Sequence, residues 1–321
     1  LRLSEFDRQV LDRLQLGLSV TERPFLVIAD ELNVSEDRVL ASAGDMKDAG
    51  LIRRIGPTIN YRILGFNSTL IAASVTEERL KKVTDAIKII NGVSHCYLRN
   101  NPMNLWFTMM FRSCENIEEK LSVLSKELGT PLYNLPAETF FKLNVFFGKQ
   151  GGQKPKKRPG KGNYSVVKLS KQAKSMICGL QKGLEIVSRP YMKACSSGEE
   201  LNILGELMEL GVVKKINASV NQYKLGFTSN VMFCAKIDDS AIAEAGNWLS
   251  QSRMVSHCYS RKTCEAWNLN FFAMVHAEND GAIKDLLQNF VEKYKICEYS
   301  MLPTVTELKK QPVSLEAYEI L

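Results

Sequence analysis

The chain has 321 residues, 45% of them apolar and 24% charged, with a formal net charge of +7. That length favours two or more domains over one small core. Uncharged apolar runs such as STLIAASV (68–75) fall far short of the about 18 residues that a membrane span needs, so no membrane-spanning helix is expected. The positive balance points to an anionic partner, either nucleic acid or a polyanionic small molecule, and composition does not choose between them.

In chain order, DRQVLDRLQL (7–16) has the apolar spacing of a helix, and Pro24 opens a short helix near 24–32. Ser35 caps the next helix, with Glu36 and Asp37 suited to its first turn and Gly50 ending it. LIRRIGPTINY then makes a small β-wing, so the segment reads as a helix-turn-helix with a wing. A strand (68–75), a helix (77–90), strands at 93–99 and 104–111, a helix near 115–129 and a final strand or strands across 132–147 give the order βαββαβ. That order predicts a ferredoxin-like sandwich.

The plan then repeats. GLIRRIGPTINYRILGFNS (50–68) lines up without a gap on GVVKKINASVNQYKLGFTS (211–229), and VSHCY occurs at 93–97 and 255–259. NLWFTMM (104–110) answers NLNFFAM (268–274), and LPAETFFK (135–142) answers LPTVTELK (302–309). The expected architecture is α+β, a tandem repeat of winged helix-turn-helix plus ferredoxin-like domain. Its parts are 1–66, 67–148, a Gly/Pro/Lys linker at 149–163, a shortened winged segment at 164–227, and 228–321.

On an extended strand alternate residues share a face, so His95, Tyr97 and Arg99 project together, as do His257, Tyr259 and Arg261. Each row offers an imidazole that can move a proton or bind a metal, a phenol, and a guanidinium that can hold a carboxylate. Ser94, Cys96 and Leu98 take the opposite face, and Cys96 and Cys258 are expected to be buried structural thiols. The chain's eight cysteines include no CxxC pair and read as reduced thiols of a cytoplasmic protein. Zinc is discounted because His and Cys adjacent on a strand point apart. A second cationic group lies in the wings, with Arg53, Arg54 and Arg62 in one half and Lys214, Lys215 and Lys224 in the other.

A helix-turn-helix joined to a ferredoxin-like domain resembles the Lrp/AsnC regulators, which would make DNA the partner. The charges argue otherwise. The candidate recognition helix at 35–49 sets Glu36, Asp37, Asp45 and Asp48 against Arg38 and Lys47, and EELNILGELMEL (199–210) has no basic residue. Phosphate-dense grooves repel such helices.

RRIGPTINYRILGF followed by VSHCYLR and NLWFTM, with a second copy carrying VSHCYSR and NLNFFAMVHA, resembles the sirohaem decarboxylases in their fused two-subunit form. The resemblance covers almost all of both halves. It implies removal of two acetate carboxyls from sirohaem to give 12,18-didecarboxysirohaem in haem biosynthesis. It also implies no organic cofactor, the iron arriving with the substrate.

The expected catalytic residues are His95, His257, Tyr97 and Tyr259, with His95 or His257 as axial ligand of the substrate iron. Arg53, Arg54, Arg62, Arg99, Lys214, Lys215, Arg261 and His276 are expected to bind substrate. The arginines should hold carboxylates that remain, since clamping a departing one would stabilise the ground state. The reacting acetates should face apolar groups such as Trp106, Phe107, Met109, Phe271 or Met274.

Departures from the family pattern are Tyr61 before Arg62, Lys214-Lys215 for Arg-Arg, Gln222-Tyr223, and Arg112 at the position matched to His276. The halves are therefore unequal, and a site at their interface is favoured. The expected partners are sirohaem and the other half of the same chain, with a homo-oligomer left open and neither DNA nor membrane engaged. The alternatives are a DNA-binding Lrp/AsnC-type regulator and a tetrapyrrole sensor without turnover.

Overall fold

The computed structural model describes residues 3–143, 146–147, 166–194 and 199–318. The linker assigned to 149–163 lies outside them, as does Cys195. Helix α1 (Glu5–Leu16) starts in a capping box between Ser4 and Asp7 and buries Val10, Leu11 and Leu14. Pro24 sits in the first turn of α2 (Pro24–Leu32), which ends on left-handed Asn33. Ser35 caps α3 (Glu36–Asp48) by accepting from the Arg38 amide. Glu36, though buried, is paired with Arg23.

Strand β1 (Ile52–Ile59) follows, then β2 (Phe66–Ala73), α4 (Glu77–Ile89), β3 (Val93–Arg99), β4 (Leu105–Arg112), α5 (Ile117–Leu128), β5 (Tyr133–Leu135) and β6 (Ala137–Leu143). The second half supplies α6 (Lys171–Lys182), a 3-10 turn at Pro190–Lys193, α7 (Glu200–Glu209), β7 (Val213–Val220), β8 (Ser229–Ala235), α8 (Asp239–Ser250), β9 (Val255–Arg261), β10 (Phe271–Ala277), α9 (Asp280–Lys293) and β11 (Tyr299–Lys310). The βαββαβ order is present twice. Among the described residues no helix is long and apolar enough to cross a membrane.

The pairing departs from two separate units. Each wing is a single strand, and β1 pairs antiparallel with β7 of the other half. The remaining strands form one sheet in the order β5-β2-β4-β3-β11-β8-β10-β9-β6. The long strand β11 pairs with β8 through Tyr299–Pro303 and with β3 through Thr304–Lys310. β5 pairs with β2, while β6 crosses to β9. Because Pro136 alone separates β5 from β6, the strand order closes on itself.

Matched contacts reveal a pseudo-twofold. Arg99 donates to the Leu302 carbonyl (3.0 Å) and Arg261 to the Leu135 carbonyl (2.7 Å), each just before a proline of the other half's crossing strand. Gln15 brackets the backbone of Phe147, and Gln181 that of Val313 and Leu315.

Helices α4 and α5 cover one face of the first four strands, packing Val83, Ile87 and Leu121 on Ile71, Cys96 and Phe107. Helices α8 and α9 do the same for the second set, with Leu249, Leu287 and Phe290 on Phe233, Cys258 and Phe271. The uncovered faces turn toward each other. There Trp106 meets Trp267 edge-on at 5.0 Å, with Phe272 beside it.

Candidate active site between the halves

Between these inner faces lies a cavity of about 510 Å³, within the about 300–1,000 Å³ range of small-molecule sites. The β1–β7 wing pair closes one side with Gly56, Pro57, Thr58, Asn217 and Ala218. All three histidines of the chain, His95, His257 and His276, stand in its wall.

Strand alternation places His95, Tyr97 and Arg99 on this face, and His257, Tyr259 and Arg261 opposite. Each row is stacked: imidazole to phenol is 6.4 Å in one and 5.9 Å in the other, and phenol to guanidinium 5.3 and 4.9 Å. Cys96 and Cys258 point the other way into the helix-covered cores, as expected, and burial raises both thiols. Ser94 departs from the expectation. The β3–β4 register shifts between Val93 and His95, and the β9–β10 register shifts at the matched place, leaving Ser94 and Ser256 as extra residues. These bulges turn both hydroxyls toward the cavity. Ser94 Oγ lies 2.9 Å from His95 Nδ1, and Ser256 Oγ lies 2.8 Å from His276 Nε2.

Burial, with the Lys310 ammonium second, pulls His95 down to about 4 and His276 down to about 4. Burial followed by the other two imidazoles pulls His257 down to about 3. All three rings are therefore neutral near pH 7. A neutral ring has a lone pair for a metal and gains proton affinity when a polyanion enters. Burial raises Tyr97, which stays a donor, and lowers Arg99 to about 10.

The expected residues divide. His95, His257, His276, Tyr97, Tyr259, Arg54, Arg99 and Arg261 line the cavity. Arg99 and Arg261 spend one nitrogen on the crossing strands, yet each keeps a buried Nε without a partner. Arg54 donates to the Gln181 carbonyl at 2.8 Å.

Arg53, Arg62, Lys214 and Lys215 are not in the cavity wall. Arg53 pairs with Glu307 at 2.6 Å, Arg62 covers the Phe140 ring, Lys215 donates to the Gln15 carbonyl, and Lys214 is exposed. Neighbours on a strand face opposite ways, so a wing cannot aim both of its adjacent cations inward. Of the apolar candidates, Trp106 and Met274 line the space. Phe107 contributes to the wall while packing under the helices, and Met109 and Phe271 belong to the helix-covered cores alone.

One sequence match is corrected. The side chain of Asn104 holds Val75 through both amide groups, and Asn270, not Asn268, does the same for Ile237. The hairpin of the second half is longer, which shifts the match by two. His95 faces Thr108 across β4 and His257 faces Met274 across β10, so the counterpart of His276 is Met110, not Arg112.

Sequence reasoning also missed Lys310, Gln222, Asn230 and Phe272 in the wall. The signal for Lys310 was present: aligning LPAETFFKL with LPTVTELKK sets Lys310 against Leu143.

Residues 63–142 and 224–309 match the AsnC-like ligand binding domain, and residues 7–53 the NirDL-like helix-turn-helix domain of sirohaem decarboxylase. The sirohaem decarboxylase NirDL subunit of Paracoccus pantotrophus is 30% identical over 292 residues, 89% of either chain. The sirohaem decarboxylase of Hydrogenobacter thermophilus is 28% identical over 316 residues, 96% of this chain and 93% of that one. The crystal structure of sirohaem decarboxylase NirDL in co-complex with an iron-uroporphyrin III analogue matches with a TM-score of 0.73 and 26% identity, covering 97% of this chain and 94% of that one. Fold and site thus define a duplicated AsnC-like protein closed around a ligand cavity. The chain belongs to the sirohaem decarboxylase family.

Proposed function

We propose that this chain removes two acetate carboxyls from sirohaem, giving 12,18-didecarboxysirohaem in haem biosynthesis. One observation carries the reading: in a chain of this family, its only three histidines and two His-Tyr-Arg rows converge on one cavity between the halves. In each decarboxylation the bond from the methylene to the carboxyl carbon breaks and CO2 leaves. The electron pair passes into the conjugated ring, and a proton converts the methylene to a methyl.

The residues fit the parts of that reaction. His95 and His257 have access to the cavity and can deliver the proton or ligate the substrate iron. Tyr97, held protonated by burial, can donate a hydrogen bond to the substrate, and Tyr259 stands at the matched place. The partnerless Nε of Arg99 and of Arg261, with Arg54, suits carboxylates that stay. Trp106, Phe272 and Met274 supply apolar wall where a reacting carboxylate is poorly solvated. His276, fixed by Ser256, borders the substrate. The electron sink is the macrocycle itself, so no organic cofactor is called for. Extensively dialysed protein should therefore turn over without one.

We read the chain as a cytoplasmic enzyme that does not engage DNA, because both recognition helices are acidic. Salt-dependent binding to random duplex DNA would contradict that.

The test is anaerobic incubation with sirohaem, read by mass. The expected result is loss of two CO2 units, slowed about 10²–10⁴-fold in His257→Gln if its proton is used. A stable, unaltered complex with the wild-type chain would make it a sensor.

A further inference from the structure

Besides His276 and Arg54, whose counterparts Met110 and Lys215 stay outside the wall, one more residue breaks the pseudo-twofold of the cavity. At the end of β11, Lys310 lies beside His95 in the register, where the matched strand β6 sets Leu143 beside His257. Three residues earlier, Glu307 is beside Tyr97 where Phe140 is beside Tyr259. One pole of the wall therefore carries an ammonium beside its histidine, while at the other pole the residue beside the histidine is a leucine that is not part of the wall.

The lysine is built in rather than loose. It is largely buried, its Nζ is 3.1 Å from the Oε1 of buried Gln222, and it is 3.7 Å from Glu307 Oε2. Glu307 Oε1 is taken by Arg53, and its Oε2 has no hydrogen-bond partner. Lys310 is thus held between an amide and a carboxylate, with donor capacity to spare. Its charge is felt at all three imidazoles.

We infer that Lys310 is a specificity-determining residue that holds a retained carboxylate of the substrate and so fixes which way round the macrocycle sits between His95 and His257. This rests on the sirohaem reading above. An iron tetrapyrrole has carboxylates all around its rim, and six of its eight stay after the reaction. A near-symmetric cavity lined by two equivalent His-Tyr-Arg rows could accept it in either of two orientations. Only one would set the two acetates that leave against the group that protonates them. Arg99 and Arg261 are matched across the two rows, so the unmatched ammonium of Lys310 beside His95 distinguishes the orientations electrostatically, the matched place beside His257 being held by Leu143.

The experiment compares full-length wild type, K310L, K310R and K310L/L143K. Sirohaem binding is followed by anaerobic absorption titration and turnover by mass. K310L, which puts a leucine beside both His95 and His257, should weaken binding about ten- to a hundred-fold, and K310R should restore it. K310L/L143K, with the charge at the opposite pole, should regain affinity while turnover stays at least tenfold below wild type.

If K310L binds and turns over as wild type does, the assignment is overturned. Full turnover by K310L/L143K overturns the orienting role. Should the double variant fail to fold, K310L against K310R decides, with unchanged thermal melting of both as the folding control. Wild type that binds but does not decarboxylate sirohaem refutes the functional reading instead, and the binding arm still tests Lys310.

Discussion

His95, His257 and His276 are neutral because the fold removes them from bulk water while Lys310 adds positive potential at each, and at His257 a charge would also be opposed by any charge on the other two rings. Their proton affinity in the folded chain lies below that of an unfolded histidine, so the unfolded chain binds more protons between pH 6.5 and about 4. Stability is therefore full above about pH 6.5 and falls as the pH drops. The slope has an upper bound of about 1.4 kcal/mol per pH unit for each ring. Thermal melts from pH 7.5 to 4.5 should show this loss, and His276→Asn should flatten it. Melts independent of pH over that range would contradict the burial. The rows themselves were legible, because period-two alternation over VSHCY needs no tertiary information. The serine partners were not, since a bulge is a property of the pair of strands and not of one.

At the scale of elements, the order of helices and strands followed from periodicity, caps and the helix-opening Pro24. The exchange of strands did not. LPAETFFK and LPTVTELK read as closing strands of their own halves, yet each runs past its proline and pairs with the other half. Nothing local in such a strand specifies which edge receives it, because antiparallel edges present the same backbone groups.

The arginines that follow the two histidines secure the exchange by binding the carbonyls of Leu135 and Leu302. Sequence reasoning gave them only a substrate role. Arg261→Ala leaves the Leu135 carbonyl without this donor and should lower unfolding free energy by about 1–3 kcal/mol in a denaturant titration. An unchanged midpoint and slope would show that the crossing strand holds without it.

At the scale of the molecule, the two copies of one plan enclose an interior between them. The cationic wings pair with each other and roof the cavity. Only part of their charge reaches it: Arg54 does, while Arg53, Lys214 and Lys215 stay outside the wall. Net charge pointed to a polyanion but could not say which cations would face it. Both halves thus enclose one shared cavity, and an iron macrocycle should fill it once. Anaerobic absorption titration of the full chain with sirohaem measures that stoichiometry. One macrocycle per chain at saturation is the predicted result; two independent sites per chain, or no spectral change at all, would contradict it.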